Sequence, residues 1–423
     1  MVTLAFREVG QTFGDLTVFS RLSCTIAGGK VTAVTGGNGS GKSTFLRIAA
    51  RLLHPTAGTV ETRADGALLS ALDYQRHLAM VTPEMKLYPR LTARENISFF
   101  LGLRGLTLQE AAYEALLTRV GLRRTVLLGK GAGTLSTGMA QRLKIAVLLG
   151  CEADVWLLDE PGANLDEAGR RMIRAEMKRG RPRGDWYSWR RTMWGRRPKP
   201  MKSFVWALMR LVLRKELIVS RRFRAAWAAM GMFVLTALSA MSLVLAGQAL
   251  SPQLSAALLW ILLFFASLAG ADRVFGDEEA AGTLLSLRVY GAAQPVLWGK
   301  FFYTLFVLGA LTSVFLPLFL ILLDVSVARP LWLLAVILLG VWGIAAGGTL
   351  TAALAAGASV KSGLFSVLLL PVILPVFLPA VSLTAAAFSG SGGGWGSLFG
   401  MALYDGLLSV GASVLFDYLW YEA

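Results

Sequence analysis

Residues Gly36 to Thr44 read GGNGSGKST and satisfy the pattern G-x-x-x-x-G-K-S/T. In such a loop, glycines let successive backbone N–H groups surround phosphate oxygens, a lysine reaches the β- and γ-phosphates, and a hydroxyl ligates Mg²⁺. The loop follows the apolar run Val31 to Val34 and precedes an apolar-periodic stretch, so we expect a strand, the loop and a helix in that order. The predicted phosphate contacts are Gly36, Gly37, Asn38, Gly39, Ser40, Gly41, Lys42, Ser43 and Thr44. Of these, Lys42 also serves catalysis and Ser43 also binds the metal.

A second motif, VWLLDEP, places two carboxylates at the end of a predicted buried strand. Its apolar run, residues 155–158, is followed by Asp159 and Glu160. We predict that Asp159 holds Mg²⁺, directly or through water, and that Glu160 orients or deprotonates the attacking water. The alternative interpretation is a strand that ends in two solvated acids.

A third motif, LSTGMAQR at residues 135–142, places a Ser-x-Gly turn before an amphipathic pattern. Its N–H groups and hydroxyl suit a phosphate held by another subunit. Because it lies between the phosphate loop and the DEP, this stretch resembles the signature of ABC-type ATPases, and residues 164–166 (NLD) resemble their D-loop. The resemblance implies ATP and Mg²⁺ as cofactors and a homodimer in which each ATP lies between two chains. It also implies nucleotide contacts by Ser136, Gly138 and Asp166, and an adenine that stacks on Phe13.

The two halves of the chain differ in composition. Of the 423 residues, 55% are hydrophobic, which is too many for a wholly soluble protein. Charge and periodicity are ordinary up to about residue 200, whereas long apolar spans dominate beyond residue 225. Six spans have roughly the 17–25 residues that cross a bilayer, and they are 225–247, 254–271, 301–323, 331–357, 364–388 and 397–419.

These patterns predict three parts of the chain. They are an α/β P-loop ATPase domain of ABC type at residues 1–180, a basic linker at 181–202, and an all-α, six-helix transmembrane permease domain at 203–423. The first ten residues lack a basic region followed by an apolar one, so we expect the ATPase domain to stay in the cytoplasm. Basic residues before the first span and between the second and third spans assign these segments to the same side.

The formal net charge of +16 is concentrated between Lys178 and Arg224. One interpretation is a nucleic-acid surface. We favour contact with membrane lipid and expect no nucleic acid, because juxtamembrane basic residues gain about 1 kcal/mol each from anionic lipid and also set topology. Residues 203–224 are then an interfacial amphipathic helix that leads into the first span.

The loop at residues 272–300 carries three acids, at positions 277–279, before an apolar stretch. We expect these acids at the start of a helix, where the macrodipole favours them, with an apolar face behind them. Such a helix is either a solvated amphipathic element or a coupling helix that docks on the ATPase domain. The two interpretations are compatible.

This loop, the basic helix before the first span and the closing residues 416–418 resemble the permease subunit of the cytochrome c maturation haem-export system. The resemblance covers residues 203–423, and the first half resembles the ATP-binding subunit at the level shared by many ABC ATPases. It implies a multi-pass protein of the bacterial inner membrane that works with other cytochrome c maturation subunits. It also implies that ATP hydrolysis is linked to haem delivery. The membrane half contains no histidine, so an imidazole cannot ligate haem there.

Two departures from the ABC pattern concern catalysis. Residues 81–85 read VTPEM where the family usually has a glutamine, so Glu84 would have to replace it. The family also has a later apolar strand that ends in a switch histidine, whereas residues 179–200 read RGRPRGDWYSWRRTMWGRRPKP. This segment is either a linker that replaces the last part of a truncated ATPase domain or the trace of a frameshift that joined two reading frames.

Two functional classes therefore remain. The intact Lys42, Asp159 and Glu160 favour an active half-transporter, whereas the missing histidine favours slow turnover or a non-hydrolytic ATP-binding module on a membrane scaffold. For the cargo, the alternative to haem is a drug or polysaccharide, as in general ABC exporters. Asp405, inside the sixth span, is either functional or satisfied structurally by a partner.

Overall fold

The computed structural model of the chain divides into two compact units. The first unit comprises Met1–Leu211, Ala280–Val296 and Trp420–Ala423, and the second comprises Val212–Glu279 and Leu297–Leu419. The structure describes residues 2–123, 127, 129–179, 201–245, 248–271, 273–357, 364–392 and 394–421. The domain boundaries at residues 180 and 203 stay predictions, and residues 181–200 of the predicted linker lie outside the described residues.

An antiparallel sheet of four strands forms one part of the first unit. The strands, in the spatial order β2-β1-β3-β4, are β1 Val2–Phe13, β2 Leu16–Ile26, β3 Ala57–Ala64 and β4 Ala67–Leu68. Alternate side chains at the start of β1 are buried, because successive residues of a strand point to opposite faces. On the buried face, Phe6 packs against Phe45 with the ring centroids 4.8 Å apart.

A parallel pair of short strands carries the second motif. The strands β5 Leu78–Val81 and β6 Val155–Leu158 pair along their whole length. All four residues of β5 are buried, as the near-continuous apolar run of a parallel strand requires. The predicted strand at residues 155–158, directly before Asp159, is confirmed, and Leu157 is its buried residue.

Within residues 2–123 and 129–179, six α-helices complete the amino-terminal part of the first unit. They are α1 Lys42–Ala49, α2 Ala71–His77, α3 Ala93–Leu103, α4 Glu110–Arg119, α5 Thr137–Gly150 and α6 Glu167–Arg179. A capping box starts α3, because the Thr92 hydroxyl accepts from the Glu95 N–H and the Glu95 carboxylate accepts from the Thr92 N–H. Ile97 and Phe100 of α3 and Leu143 of α5 are buried in the core of the unit.

The predicted strand at residues 31–34 is wrong. Residues 31–37 have no regular secondary structure, and Val31 and Val34 are 53% and 41% exposed. A parallel strand is stabilised by neighbours that pair with its N–H and C=O groups. Among the strands that the structure describes, β6 pairs only with β5, and none pairs with this run. An apolar run without a neighbouring strand does not become one.

The remaining helices follow from residue 201 onward. They are α7 Met201–Arg222, α8 Arg224–Leu245, α9 Pro252–Ala271, α10 Arg273–Ala280, α11 Leu284–Tyr290, α12 Ala293–Leu322, α13 Pro330–Gly357, α14 Leu364–Ser389 and α15 Trp395–Tyr421. Five of them, α8 and α12 to α15, contain a stretch long and apolar enough to cross a membrane. The predicted second span lies on α9, in which the apolar stretch among the described residues is Pro252–Leu268. The predicted order, an α/β domain followed by a helical membrane domain, is confirmed.

Prolines and glycines of the second unit mark close helix packing. The helices α12 and α14 continue through Pro317, Pro371, Pro375 and Pro379, which bundle helices tolerate when their neighbours satisfy the freed carbonyls. A Cβ at Gly340 of α13 would lie 1.9 Å from a ring atom of Trp260. Only glycine therefore lets this ring pack against α13.

The three acids at positions 277–279 lie at the end of a helix, and the prediction that they start one is wrong. They occupy the last turn of α10, and Gly282, whose φ is 67°, follows before α11 begins. A helix macrodipole disfavours acids at its carboxyl end. Here the buried Glu278 pairs with Lys215 and Lys300, and these opposite charges offset the effect of the dipole.

Candidate functional site

The phosphate loop is largely exposed, and its lysine forms hydrogen bonds with carbonyls of the same loop. Helix α1 begins at Lys42 directly after Gly41, whose φ of 86° favours glycine. The Lys42 ammonium donates to the carbonyls of Gly36 at 2.9 Å and of Gly37 at 2.7 Å. A Cβ at Gly36 would lie 2.5 Å from the Ser40 hydroxyl oxygen, and one at Gly41 would lie 2.4 Å from a methyl carbon of Val18. Gly36 and Gly41 are thus required by the fold of the loop.

The two predicted metal-binding side chains lie together. The Ser43 hydroxyl donates to Asp159 Oδ2 at 2.7 Å, although the residues are 116 positions apart. The Asp159 N–H donates to the Val81 carbonyl at 2.9 Å, which continues the pairing of β5 with β6 and fixes the backbone of the aspartate. Hydroxyl and carboxylate oxygens are the ligands that Mg²⁺ prefers. The pair therefore fits Mg²⁺, and the loop of exposed N–H groups fits its phosphates.

The predicted catalytic carboxylate lies at a sharp turn directly after β6. Glu160 is exposed and has a φ of 42°, which is uncommon for a residue other than glycine. Its carbonyl accepts from the Ala163 N–H at 2.9 Å, which closes the turn. Strained backbone of this kind is concentrated at functional sites, and an exposed carboxylate here is free to meet water.

The signature and the D-loop lie side by side in this chain. The Ser136 hydroxyl accepts from the Met139 N–H at 3.2 Å and caps α5. A Cβ at Gly138 would lie 3.0 Å from the Asn164 carbonyl oxygen, so the signature glycine allows a close approach of the D-loop. Arg142 of α5 pairs with the Asp166 carboxylate at 2.6 Å.

Asp166 is held by the start of α6 as well as by the signature helix. Its carboxylate accepts from the Gly169 N–H at 2.9 Å. This hydrogen bond, followed by the one from Arg142, keeps the pKa of the Asp166 carboxyl below its usual value. Within the described residues, no hydrogen bond joins the phosphate loop to Ser136, Gly138 or Asp166. The predicted nucleotide contacts therefore form two separate clusters in one chain.

The remaining predicted contact, Phe13, lies at the tip of a hairpin. It is 48% exposed at the end of β1 and pairs with Leu16 at the start of β2. The same strand β2 carries Val18 and Phe19, which lie next to Gly41 of the phosphate loop. Phe13 is thus an accessible aromatic on the hairpin that packs against the loop, and its stacking on adenine stays a prediction.

Glu84, at the position where a glutamine is usual, pairs with Arg47 of α1 at 2.5 Å, and both side chains are about half exposed. In the same segment, the Thr82 carbonyl accepts from the Lys144 ammonium at 3.3 Å. Burial, followed by the nearby charge of Lys86, lowers the pKa of Lys144 to about 8. Segment 82–85 is thereby tied to the helix of the phosphate loop and to that of the signature.

Comparison with known proteins finds two family models along the chain. The "ABC transporter" family model matches residues 19–163, and the "CcmB protein" family model matches residues 207–412. A "Probable anion import ATP-binding protein" of Haloferax volcanii is 34% identical over 200 residues, which are 43% of this chain and 68% of that protein. The chain belongs to the ABC transporter family.

Other relatives match the ATPase part of this ABC transporter. The "Fe(3+) ions import ATP-binding protein FbpC" of Rhizobium etli is 36% identical over 179 residues, which are 41% of this chain and 49% of that protein. The chain thus spans about half the length of this relative. A solved ABC transporter ATP-binding protein of Pyrococcus furiosus is 23% identical, with a TM-score of 0.37, over 41% of this chain and 84% of that one. The transporter joins a part that matches the ABC transporter model to a part that matches the CcmB protein model.

Helix α11 of the ABC transporter packs on the ATPase elements within the first unit. Gln75 of α2 donates to the carbonyls of Arg288 at 2.6 Å and Gly291 at 2.9 Å. The Tyr290 hydroxyl donates to the Met80 carbonyl of β5 at 3.0 Å. We call the surface formed by α2, β5 and the end of α3 the docking surface. The stretch that follows the acids therefore contains a helix docked on ATPase elements, and its role in coupling stays a prediction.

Arg104 lies at the centre of the docking surface. Its guanidinium donates to the carbonyls of Gln75 and Leu78, and to that of Val289 at 3.2 Å. It also lies over the Tyr290 ring, 5.2 Å from the centroid. Burial lowers the pKa of Arg104 and raises that of Tyr290. Sequence reasoning missed both Gln75 and Arg104, because an arginine directly after a helix is ordinarily a solvated cap.

A ring of four charges in the second unit, three of them buried, was also missed. Lys215 contacts Glu216 at 2.6 Å and Glu278 at 2.5 Å, and Lys300 contacts them at 2.6 Å and 3.2 Å. Lys300 is fully buried and lies 4.7 Å from the centre of the Phe275 ring. The sequence pattern assigned both lysines only to the basic cytoplasmic flank. The ring ties α7, α10 and α12 together. Of these helices, α10 is the one that leads into α11.

Proposed function

We propose that the chain is the ATP-driven half of a haem exporter of the cytochrome c biogenesis type. The observation that carries the proposal is the match of residues 207–412 to the CcmB protein, directly after an ABC ATPase in the same chain. The names of the relatives that mention iron or anion import concern ATP-binding proteins, and they match only the ATPase part. The cargo is therefore inferred from the membrane half.

The nucleotide would be held mainly by backbone groups of the phosphate loop. We assign its contacts to Phe13, Gly36, Gly37, Asn38, Gly39, Ser40, Gly41, Lys42, Ser43 and Thr44. Ser43 and Asp159 supply the oxygen ligands of Mg²⁺, and their contact at 2.7 Å supports this assignment. Bound ATP supplies a phosphoryl group for transfer to water. Lys42 stabilises its negative charge, and Glu160 orients the water or accepts its proton.

A second copy of the chain would complete the site. Ser136 and Gly138 begin α5, whose first N–H groups and positive dipole end favour a phosphate. In one chain Gly138 lies next to the Asn164 carbonyl of the D-loop, and among the described residues no hydrogen bond joins Ser136 or Gly138 to the phosphate loop. A homodimer in which the signature and Asp166 of one copy face the ATP of the other uses both clusters.

Coupling would run through α11. Its hydrogen bonds to Gln75 of α2 and to Met80 of β5 attach it to these two elements, and β5 pairs with β6, the strand that Asp159 follows. A displacement of β6 would therefore be transmitted to β5 and to α11. In this proposal the transporter lies in the bacterial inner membrane with the ATPase in the cytoplasm. It works with other cytochrome c maturation subunits and contacts anionic lipid through its basic segment.

The cargo is tested in the native host by deleting the gene and restoring it with the wild type or with Lys42→Ala. Covalent haem on periplasmic cytochromes c is measured by haem staining. We expect loss on deletion, recovery with the wild type and no recovery with Lys42→Ala at equal expression. Normal cytochromes c in the deletion strain would contradict haem export and favour a general drug or polysaccharide exporter.

A second candidate function, an ATP-binding module with slow or absent hydrolysis, is favoured by the exposed, unpaired run at residues 31–34 and by the missing switch histidine. Interactions made only in the transition state act on kcat rather than on ground-state binding. If this candidate holds, the purified chain in lipid binds ATP but turns over well below the roughly 1–100 s⁻¹ typical of kinases. Glu160→Gln then changes the rate little. A robust wild-type rate that collapses in Glu160→Gln rules this candidate out.

A further inference from the structure

The carboxyl group of Asp405 is buried in the second unit without a hydrogen-bond partner. The residue lies within α15 and is 3% exposed. Both of its carboxyl oxygens are buried, and neither has a hydrogen-bond partner among the residues that the structure describes. An ionised carboxylate in such a place costs several kcal/mol, whereas a protonated one costs far less.

The neighbouring helices form a fitted pocket for this carboxyl. A Cβ at Gly343 of α13 would lie 2.5 Å from Asp405 Oδ1 and 2.8 Å from both γ carbons of Val376 in α14. Glycine at position 343 is therefore what lets the carboxyl lie against the backbone of α13. Val376 is buried and closes the pocket with an apolar wall.

The polar groups nearest along these helices are engaged elsewhere. The Tyr404 hydroxyl donates to the Val372 carbonyl at 2.6 Å, and the Trp342 indole N–H donates to the Ser409 hydroxyl at 3.2 Å. The sequences of α13 and α14 contain no ionisable side chain. On α15 the other ionisable groups are Tyr404, Asp417, Tyr418 and Tyr421. None of them is a cation that could neutralise Asp405.

We propose that Asp405 is a proton-binding site inside the membrane domain. In the packing seen here, one carboxyl oxygen forms an O–H bond with a proton taken from water, and no electrons are transferred. Release of the proton requires α15 to move away from Gly343, so that the carboxylate reaches water or a cation. Proton binding and the packing of α15 on α13 are thereby linked.

A metal cation fits the pocket less well. Metal ions bound by oxygen need several ligands, and no group of three or more His, Cys, Asp or Glu residues lies together in the described parts of the chain. The proposal does not depend on the cargo, because it concerns the packing of three helices rather than haem.

The test uses the full chain in lipid nanodiscs and an apolar carbodiimide, which reacts with protonated carboxyls in apolar surroundings. Peptide mass analysis locates the modified residue at a series of pH values. We expect modification at Asp405, with a rate that falls about tenfold for each pH unit above the titration midpoint. Asp405→Asn should abolish this modification, whereas Asp324→Asn, which changes an exposed carboxylate, should leave it unchanged.

The stability of Asp405→Asn provides a second measurement. Because the amide resembles a neutral carboxyl, the variant should unfold at the same temperature as the wild type or higher at neutral pH. Two results would overturn the proposal. One is an absence of pH-dependent modification at Asp405 in the wild type, a result that stands even if the variant does not fold. The other is protection from the reagent by added Na⁺, K⁺ or Mg²⁺ at constant pH, which would indicate a cation site instead.

Discussion

The phosphate loop and the docking surface belong to the same compact unit but are built in opposite ways. The hydrogen bonds of the half-buried Lys42 are exposed, and its partners lie 5 and 6 residues away in the chain. Tyr290 is buried, and its partner Met80 lies 210 residues away. The loop is therefore a local structure organised by glycines, whereas the docking surface exists only when distant segments meet.

Because of this difference, we expect the two regions to contribute differently to ligand binding and to the free energy of unfolding. An exposed ammonium that contacts two carbonyls adds little to the free energy of unfolding, because water replaces its contacts readily. A buried guanidinium that satisfies three carbonyls adds much more, because its removal leaves buried polar groups without partners. Substitutions in the loop should change ligand binding, and substitutions in the docking surface should change folding.

The largest effect is expected for Lys42→Ala. Productive binding of Mg-ATP should be lost, and hydrolysis should fall on the order of 10²–10³-fold, because the phosphates lose the loop's ammonium. The free energy of unfolding should change by less than about 0.5 kcal/mol. Nucleotide titration, hydrolysis and thermal unfolding measure the three quantities. Lys30→Ala, an exposed lysine close to the loop, is the control. Unchanged affinity and hydrolysis in Lys42→Ala would remove the assignment of the loop.

Arg104→Met should have the opposite pattern of effects, with a large loss of stability and little change in ATP affinity. The variant leaves the carbonyls of Gln75, Leu78 and Val289 without this donor, so the free energy of unfolding should fall by about 3 kcal/mol. Amides of α11 should exchange faster with solvent, while ATP affinity stays within a factor of about two. Arg123→Met changes an exposed arginine and should be neutral. Equal exchange in the two variants would contradict the role of Arg104 in docking.

Tyr290→Phe sharpens the comparison by removing one hydrogen bond of the docking surface. The hydroxyl that donates to the Met80 carbonyl at 3.0 Å disappears while the ring stays, so a loss of about 1 kcal/mol is expected. Tyr418→Phe is the matched control, because Tyr418 is 58% exposed. Chemical denaturation of the two variants in parallel gives the difference. A loss in Tyr290→Phe no larger than in Tyr418→Phe would show that the hydroxyl contributes nothing.

The smallest effect concerns pH. The pKa of Lys144 is about 8 in the folded chain, and its ordinary value is 10.5. Between these values the unfolded chain binds more protons, so the free energy of unfolding should rise as the pH increases from about 8 to about 10.5. Lys144→Met should remove this rise. Unfolding temperatures of wild type and variant across that range provide the measurement, and parallel pH profiles would contradict the lowered pKa.

Much of the candidate site could be predicted because its residues belong to short contiguous motifs. The contact between Ser43 and Asp159 agrees with two short motifs, because each motif follows an apolar run and carries a predicted metal ligand. The strand at residues 31–34 was predicted in the same way and is wrong. A strand depends on its neighbours as well as on its own side chains, and the described strands provide none there. The prediction for the acids at positions 277–279 was wrong for a similar reason. Glu278 is stabilised by ion pairs with two lysines of other helices and not by the dipole of its own helix.

The amino-acid sequence by itself determined the phosphate loop, the DEP motif, the order of the two halves and most of the membrane spans. Glycine spacing and apolar runs are local properties of the sequence, and they do not depend on tertiary contacts. Only the tertiary structure decided the position of α11 on Gln75 and Arg104, the ring of four charges and the isolated carboxyl of Asp405. In each case the energy of a polar group depends on burial and on partners far away in the chain, and neither quantity exists until the chain has folded.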